Sequence, residues 1–180
     1  LKILVQRDVQ QNTKRHDKRY KNKTCSEDIA VAIMSEDVVF GDMTVSLERP
    51  AKSENAKGRI DILIDAEIII NNKKRGIHIV IENKVYSKEH SNQTGTYFKS
   101  LEKDILKNNA LYLFVFLTPL SSKEMEKMTE PQCSNKEFIQ INYQDILDYI
   151  LEPALKKDIS LRNRFVIEEY IHCLSLPALN

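Results

Sequence analysis

Apolar residues recur along this chain at two spacings, and the changes between them mark out its elements. From Met43 to Glu48 they alternate with polar ones, the period of a strand with one covered face, and this first strand is expected to end before Pro50. The polar stretch from Ala51 to Gly58 reads as a loop. Two longer segments rich in Ile and Val follow, Arg59 to Ile70 and Lys74 to Val85. Between them stands Asn71-Asn72, where asparagine accepts the left-handed backbone of a tight turn, so the pair predicts a β-hairpin. From Ser91 to Asn108 the spacing becomes that of a helix, with Tyr97, Phe98, Leu101, Ile105 and Leu106 on one side. The unbroken apolar run Leu111 to Leu117 reads as a buried central strand, and Phe138 to Ile141 as a short one. Upstream, Thr24-Cys25-Ser26-Glu27 has the form of a capping box opening a short helix that carries Ile29, Ala30, Ile33 and Met34. Downstream, Tyr143 to Leu151 and Leu161 to Leu174 predict two helices separated at Pro153. The order helix, three strands, helix, strand, strand, helices implies an α/β fold, a mixed sheet with helices packed on it.

Composition narrows this picture modestly. With 180 residues, 42% hydrophobic and 29% charged, the chain fits one domain with a sizeable core, since domains commonly run to about 100 to 200 residues. The organisation expected is a basic, loosely attached segment over residues 1–23 followed by a single domain over 24–180. A formal net charge of +1 means that attraction to phosphates must come from local clustering. Lys14 to Lys23 supplies one cluster, with Lys14, Arg15, Lys18 and Arg19 available as a solvated helix or as a phosphate-contacting arm. The three cysteines, Cys25, Cys133 and Cys173, lie far apart and lack metal-ligand spacing. Neither a disulfide framework nor a zinc site is supported, and a reducing, cytoplasmic setting is expected. No apolar run approaches the roughly 20 residues that span a bilayer, and Leu1 to Val5 is too short for a signal peptide. The chain opens on Leu rather than Met, so any targeting information ahead of it is unread.

The hairpin is where chemistry gathers. A two-residue turn at Asn71-Asn72 sets Ile70 across from Lys73 and, counting back along both strands, Asp61 across from Glu82. Opposed residues share a face and successive side chains alternate, so Lys84 projects from that face as well. A four-residue loop would pair Asp61 with Lys84 and keep this facing, whereas a three-residue loop would break it. On the reverse face, Ile60, Ile62 and Ile64 and, across the hairpin, Ile77, Ile79 and Ile81 offer an apolar surface for packing. Two opposed carboxylates repel unless a proton or cation intervenes, and a hard divalent ion such as Mg²⁺ is the usual cation for a site of few carboxylates, waters and phosphate oxygens. An ammonium beside such an ion holds or helps deprotonate an attacking water and offsets charge on phosphate, which is the chemistry of phosphodiester hydrolysis. The plain alternative is a cross-strand ion pair with a spare carboxylate on a solvated sheet face. Asp65 and His78 share the facing but lie four positions away, about 13 Å along a strand, and read as a strand-end or turn residue and a solvated or core-edge histidine. His90 is nearer the site in sequence.

The same residues resemble a known family. Gly58-Arg59-Ile60-Asp61-Ile62-Leu63-Ile64, followed by Ile79-Val80-Ile81-Glu82-Asn83-Lys84-Val85-Tyr86, looks like the D…ExK signature of the PD-(D/E)XK nuclease superfamily. Asn92-Gln93-Thr94-Gly95-Thr96-Tyr97-Phe98 resembles the NQ…Y stretch that opens the next helix in many bacterial and phage-linked members. The similarity covers Met43 to Leu117 in order and spacing. It implies a restriction-endonuclease-like mixed sheet with an αβββαβ core flanked by helices. It also implies Mg²⁺ or Mn²⁺ held by Asp61 and Glu82, with the backbone carbonyl of Asn83 as a further ligand, and Lys84 positioning the water. Gln93 would support the site, and Tyr97 would either contact nucleic acid or pack. Family members often carry an acidic residue on the first helix, for which Glu27 is the candidate beside its capping role. Ile60 stands where the motif has Pro, a frequent substitution. The activity implied is metal-dependent endo- or exonucleolytic cleavage of DNA, in preference to RNA, by a protein with no membrane partner that is free to pair as a homodimer. The alternative is a catalytically inactive nucleic-acid-binding or scaffold module of the same fold.

Overall fold

Ile and Val dominate the middle of the chain, and in the computed structural model they build one five-stranded mixed sheet. The structure describes residues 1–12, 27–35, 38–52, 57–85, 89–90, 92–107, 110–121 and 135–175, with 123, 124, 127 and 133. The strands are β1 Val39–Lys52, β2 Lys57–Ile70, β3 Lys73–Asn83, β4 Leu111–Thr118 and β5 Phe138–Asn142, side by side in that order. β1, β2 and β3 form an antiparallel meander, while β3, β4 and β5 run parallel. A parallel neighbour requires a crossover connection. Helix α3, Gln93–Lys107, supplies it between β3 and β4. The other helices are α1 Lys2–Asn12, α2 Glu27–Met34, α4 Tyr143–Ile146, α5 Glu152–Leu155 and α6 Leu161–Ser175, with a π-helical turn, Leu147–Leu151, joining α4 to α5. This is the expected restriction-endonuclease-like α/β architecture. Among the described residues no helix is long and apolar enough to cross a membrane.

Alternation along the strands gives each face of the sheet its own core. Ile77, Leu113, Val115 and Ile141 pack with Val5 of α1 and with Ala32 and Ile33 of α2. On the opposite face Leu63, Val80, Phe114, Phe116 and Phe138 pack with Tyr97 and Ile105 of α3. Strand β4 is covered on both sides, which is why it reads as an unbroken apolar run rather than an alternating one.

Several expectations change. β1 runs through Pro50 to Lys52, and β2 starts at Lys57, so pairing invades the stretch read as a loop. Strand β1 is a sheet edge, the place where a strand accommodates proline. Pro153 does not separate the last helices: helical structure runs on to Leu155, and Pro153 stands in the first turn of α5, where a missing N–H is least costly. Ile60 joins the core beneath α3 rather than the reverse face. Asp65 is not at a strand end or turn but lies within β2, opposite His78. The beginning of the chain is also attached. Residues 2–12 form α1, Val5 is fully buried, and Arg7 reaches across the fold to β5 and α4. The capping box Thr24 to Glu27 and the basic residues Lys14, Arg15, Lys18 and Arg19 lie outside the described residues, as does the side chain of Glu27.

Candidate active site

The turn sets the register as counted. Asn71 and Asn72 adopt φ of 50° and 59°, Ile70 pairs with Lys73, and the ladder continues in step to Ile62 opposite Ile81. One step further stand Asp61 and Glu82. There β3 leaves β2 but keeps its parallel partner, with Glu82 beside Phe116 and Asn83 beside Leu117. The side chain of Asp61 takes over where the ladder stops: its Oδ2 accepts the backbone N–H of Asn83 at 2.8 Å. This bond fixes one carboxylate against the strand that carries the other.

Glu82 has no exposed surface. The ammonium of Lys84 lies 2.7 Å from its Oε1, with the lysine side chain itself largely covered. The carboxylate faces this ammonium and the Tyr97 hydroxyl. Burial raises the pKa of Glu82 above the ordinary carboxylate value, the hydrogen-bonding reach and charge of Lys84 pull it down, and Asp61 pushes it up again. A buried carboxylate is costly unless a proton or a cation meets it, and here Lys84 supplies one positive charge. A second carboxylate beside it, Asp61, makes an oxygen donor pair of the kind that suits a hard divalent ion. Among the described residues, no group of three or more His, Cys, Asp or Glu converges on a metal position, so water or substrate oxygens would complete the coordination.

Helix α3 closes the site from above. Glu89 accepts from the backbone N–H of Thr94 at 2.8 Å and from its hydroxyl at 2.5 Å, anchoring the first turn. That turn aims Tyr97 at the carboxylates. Its ring is fully buried, and its hydroxyl faces Glu82. Ionisation of the hydroxyl is pushed well up, first by burial and then by the charge of Glu82, so it stays a neutral neighbour of the site. The ring packs with Leu63, Val80, Phe114 and Phe116 in the core on this face of the sheet. Gln93 opens α3, and its Oε1 accepts the His90 backbone N–H at 3.5 Å; the structure does not bring it into hydrogen-bond contact with Asp61, Glu82 or Lys84.

Two residues escaped the sequence reading. Tyr143, the first residue of α4, donates its hydroxyl to Asn83 Oδ1 at 3.0 Å. Glu48 falls between the β1–β2 pairs Leu47–Ile62 and Arg49–Ile60, hence across from Asp61, and has a left-handed φ of 52°. Further along the same face, His78 Nδ1 lies 2.6 Å from Asp65 Oδ1, Arg49 is 3.5 Å from Asp65 Oδ2, and the imidazole stacks on Tyr112 at 4.5 Å. This pair ties β2, β3 and β4 together apart from the carboxylates.

A family model described as PD-(D/E)XK nuclease superfamily matches residues 2–172. Neither a curated protein nor a solved structure gives a match.

Proposed function

Because this chain belongs to the PD-(D/E)XK nuclease superfamily, we propose that it is a Mg²⁺- or Mn²⁺-dependent deoxyribonuclease whose site is Asp61, Glu82 and Lys84. The observation that carries this reading is the fully buried carboxylate of Glu82 between a second acid and an ammonium. Asp61, Glu82 and the backbone carbonyl of Asn83 would hold the ion. Bound there, it supplies Lewis-acid activation of water and charge neutralisation at the phosphate.

The chain's own residues do the rest. Asp61 is braced through Oδ2 by the Asn83 N–H, so its orientation does not depend on the ion. Lys84, held beside Glu82 at 2.7 Å, would donate to the attacking water and offset the charge that develops on the phosphate. Gln93 is assigned the supporting role that the family resemblance implies. Lys14, Arg15, Lys18 and Arg19 are assigned to phosphate contacts, which would add steep salt dependence to binding. The preferred substrate is DNA rather than RNA. A cytoplasmic setting belongs to the same reading, in keeping with the free thiols of Cys133 and Cys173. A homodimer would draw on exposed apolar side chains such as Met43, Val45 and Leu47 of β1.

The test is cleavage of linear and circular, single- and double-stranded DNA, and of RNA, with and without Mg²⁺ or Mn²⁺, beside a Lys84→Ala variant. Metal-dependent cleavage is expected, falling at least about 100-fold in the variant, as loss of a positioned proton-transfer group does. Mn²⁺ binding should persist in the variant, because removing an ammonium 2.7 Å from Glu82 removes a competitor for that carboxylate. Equal cleavage by the variant would remove Lys84 from the mechanism. An inert wild type that also binds no metal would favour the non-catalytic module.

A further inference from the structure

The segment from Glu82 to Lys84 carries three groups of the proposed site in three consecutive residues, so its backbone must be held while the side chains exchange partners. Two hydrogen bonds hold it from the sheet: Asn83 N–H to Asp61 Oδ2 at 2.8 Å and Lys84 N–H to the Leu117 carbonyl at 2.9 Å. A third comes from elsewhere in the chain, the Tyr143 hydroxyl donated to Asn83 Oδ1 at 3.0 Å. We propose that Tyr143 is a positioning residue for the metal site, holding Asn83, and with it the adjoining carboxylate and ammonium, in the orientation that binds the ion. This rests on the nuclease reading above.

What makes Tyr143 a fixed support is the network beneath it. It follows directly on Asn142, whose side chain accepts the Asp145 N–H at 2.8 Å while Asp145 Oδ2 accepts the Asn142 N–H at 2.9 Å, a reciprocal cap that locks the start of α4. Asp145 is buried and pairs with Arg7 of α1 at 2.7 Å, and the same guanidinium donates to the Gln140 carbonyl at 2.7 Å. Tyr143 is thus anchored to both β5 and α1 before it reaches the site. A support of this kind acts on metal affinity, as partners behind a ligand do.

The experiment is calorimetric titration of Mn²⁺ into the full chain, comparing wild type, Tyr143→Phe, Asn83→Ala and the double variant, with circular dichroism to establish that each is folded. Tyr143→Phe keeps the ring and removes only the hydroxyl. It is expected to weaken Mn²⁺ binding about tenfold. Asn83→Ala should do the same, and the double variant should lose no more than the larger single loss, because either change breaks the same link. Unchanged Mn²⁺ affinity in Tyr143→Phe, or losses that add in the double variant, would overturn the proposal while leaving the nuclease reading intact. A wild type that binds no Mn²⁺ would overturn the metal-site reading and this proposal with it.

Discussion

A carboxylate without exposed surface gains from holding a proton or a cation, and Glu82 is such a group. Its pKa is raised in the folded chain, chiefly by burial, so the folded state takes up a proton more readily than the unfolded state does. Without metal, this contribution favours folding below the ordinary carboxylate range and is lost as pH rises through the raised value. A divalent ion binds only the charged form, so metal and proton compete. The stabilisation by Mg²⁺ in thermal melts should therefore be small near pH 5, grow toward pH 8, and vanish in Glu82→Gln. At about a hundred times the dissociation constant it should reach about 2.7 kcal/mol. A shift independent of pH, or one that survives in Glu82→Gln, would contradict this. Asp61, Glu82 and Lys84 were readable from the sequence because a short turn fixes their register. Tyr143 was not, since it meets Asn83 from 60 positions away, and no local pattern encodes that contact. Glu48 stays hidden because no short turn fixes the register of β1 against β2, so its place across from Asp61 cannot be counted from the sequence.

At the scale of elements, α3 and β2 approach closely at one point. A Cβ added to Gly58 would lie 2.9 Å from Tyr97 Cε1, and the fully buried ring has no room to retreat. Gly58→Ala should cost about 1 to 3 kcal/mol, the usual penalty of overpacking. Denaturant titration should show the same substitution to be nearly neutral in a Tyr97→Leu background; an undiminished cost there would mean that the clash is not with the tyrosine. The pairing β2–β3 and the elements α3 and β4 follow from spacing and turn chemistry alone, because each is specified within a few residues. The extent of β1 does not, since its partner supplies the hydrogen bonds that carry it past Pro50. Nor does the helical run through Pro153, which depends on the π-helical turn just ahead of it.

Across the whole molecule, α1 meets β5 and the start of α4, elements more than 100 residues further along the chain. The polar second half of α1 offers little intrinsic reason to be helical, and short helices in water are marginal without packing. Its order comes from Val5, sealed into the core, and from Arg7, which meets Asp145 across 138 positions of chain. A sequence window cannot contain such a contact, so the segment reads as loosely attached. The energetic consequence is testable. Arg7→Ala would strip Asp145, a nearly covered carboxylate that also caps α4, of its charged partner. Leaving such a group without its partner costs about 1 to 3 kcal/mol, whereas an exposed ion pair at the chain's edge is worth about 0 to 1 kcal/mol. Urea denaturation should show the midpoint fall by the larger amount with an unchanged slope, because the fold loses stability without changing what it buries. A change within about 0.5 kcal/mol, the range of an ordinary surface substitution, would mean that α1 rests on the sheet through its apolar contacts and that the network beneath Tyr143 stands without the ion pair.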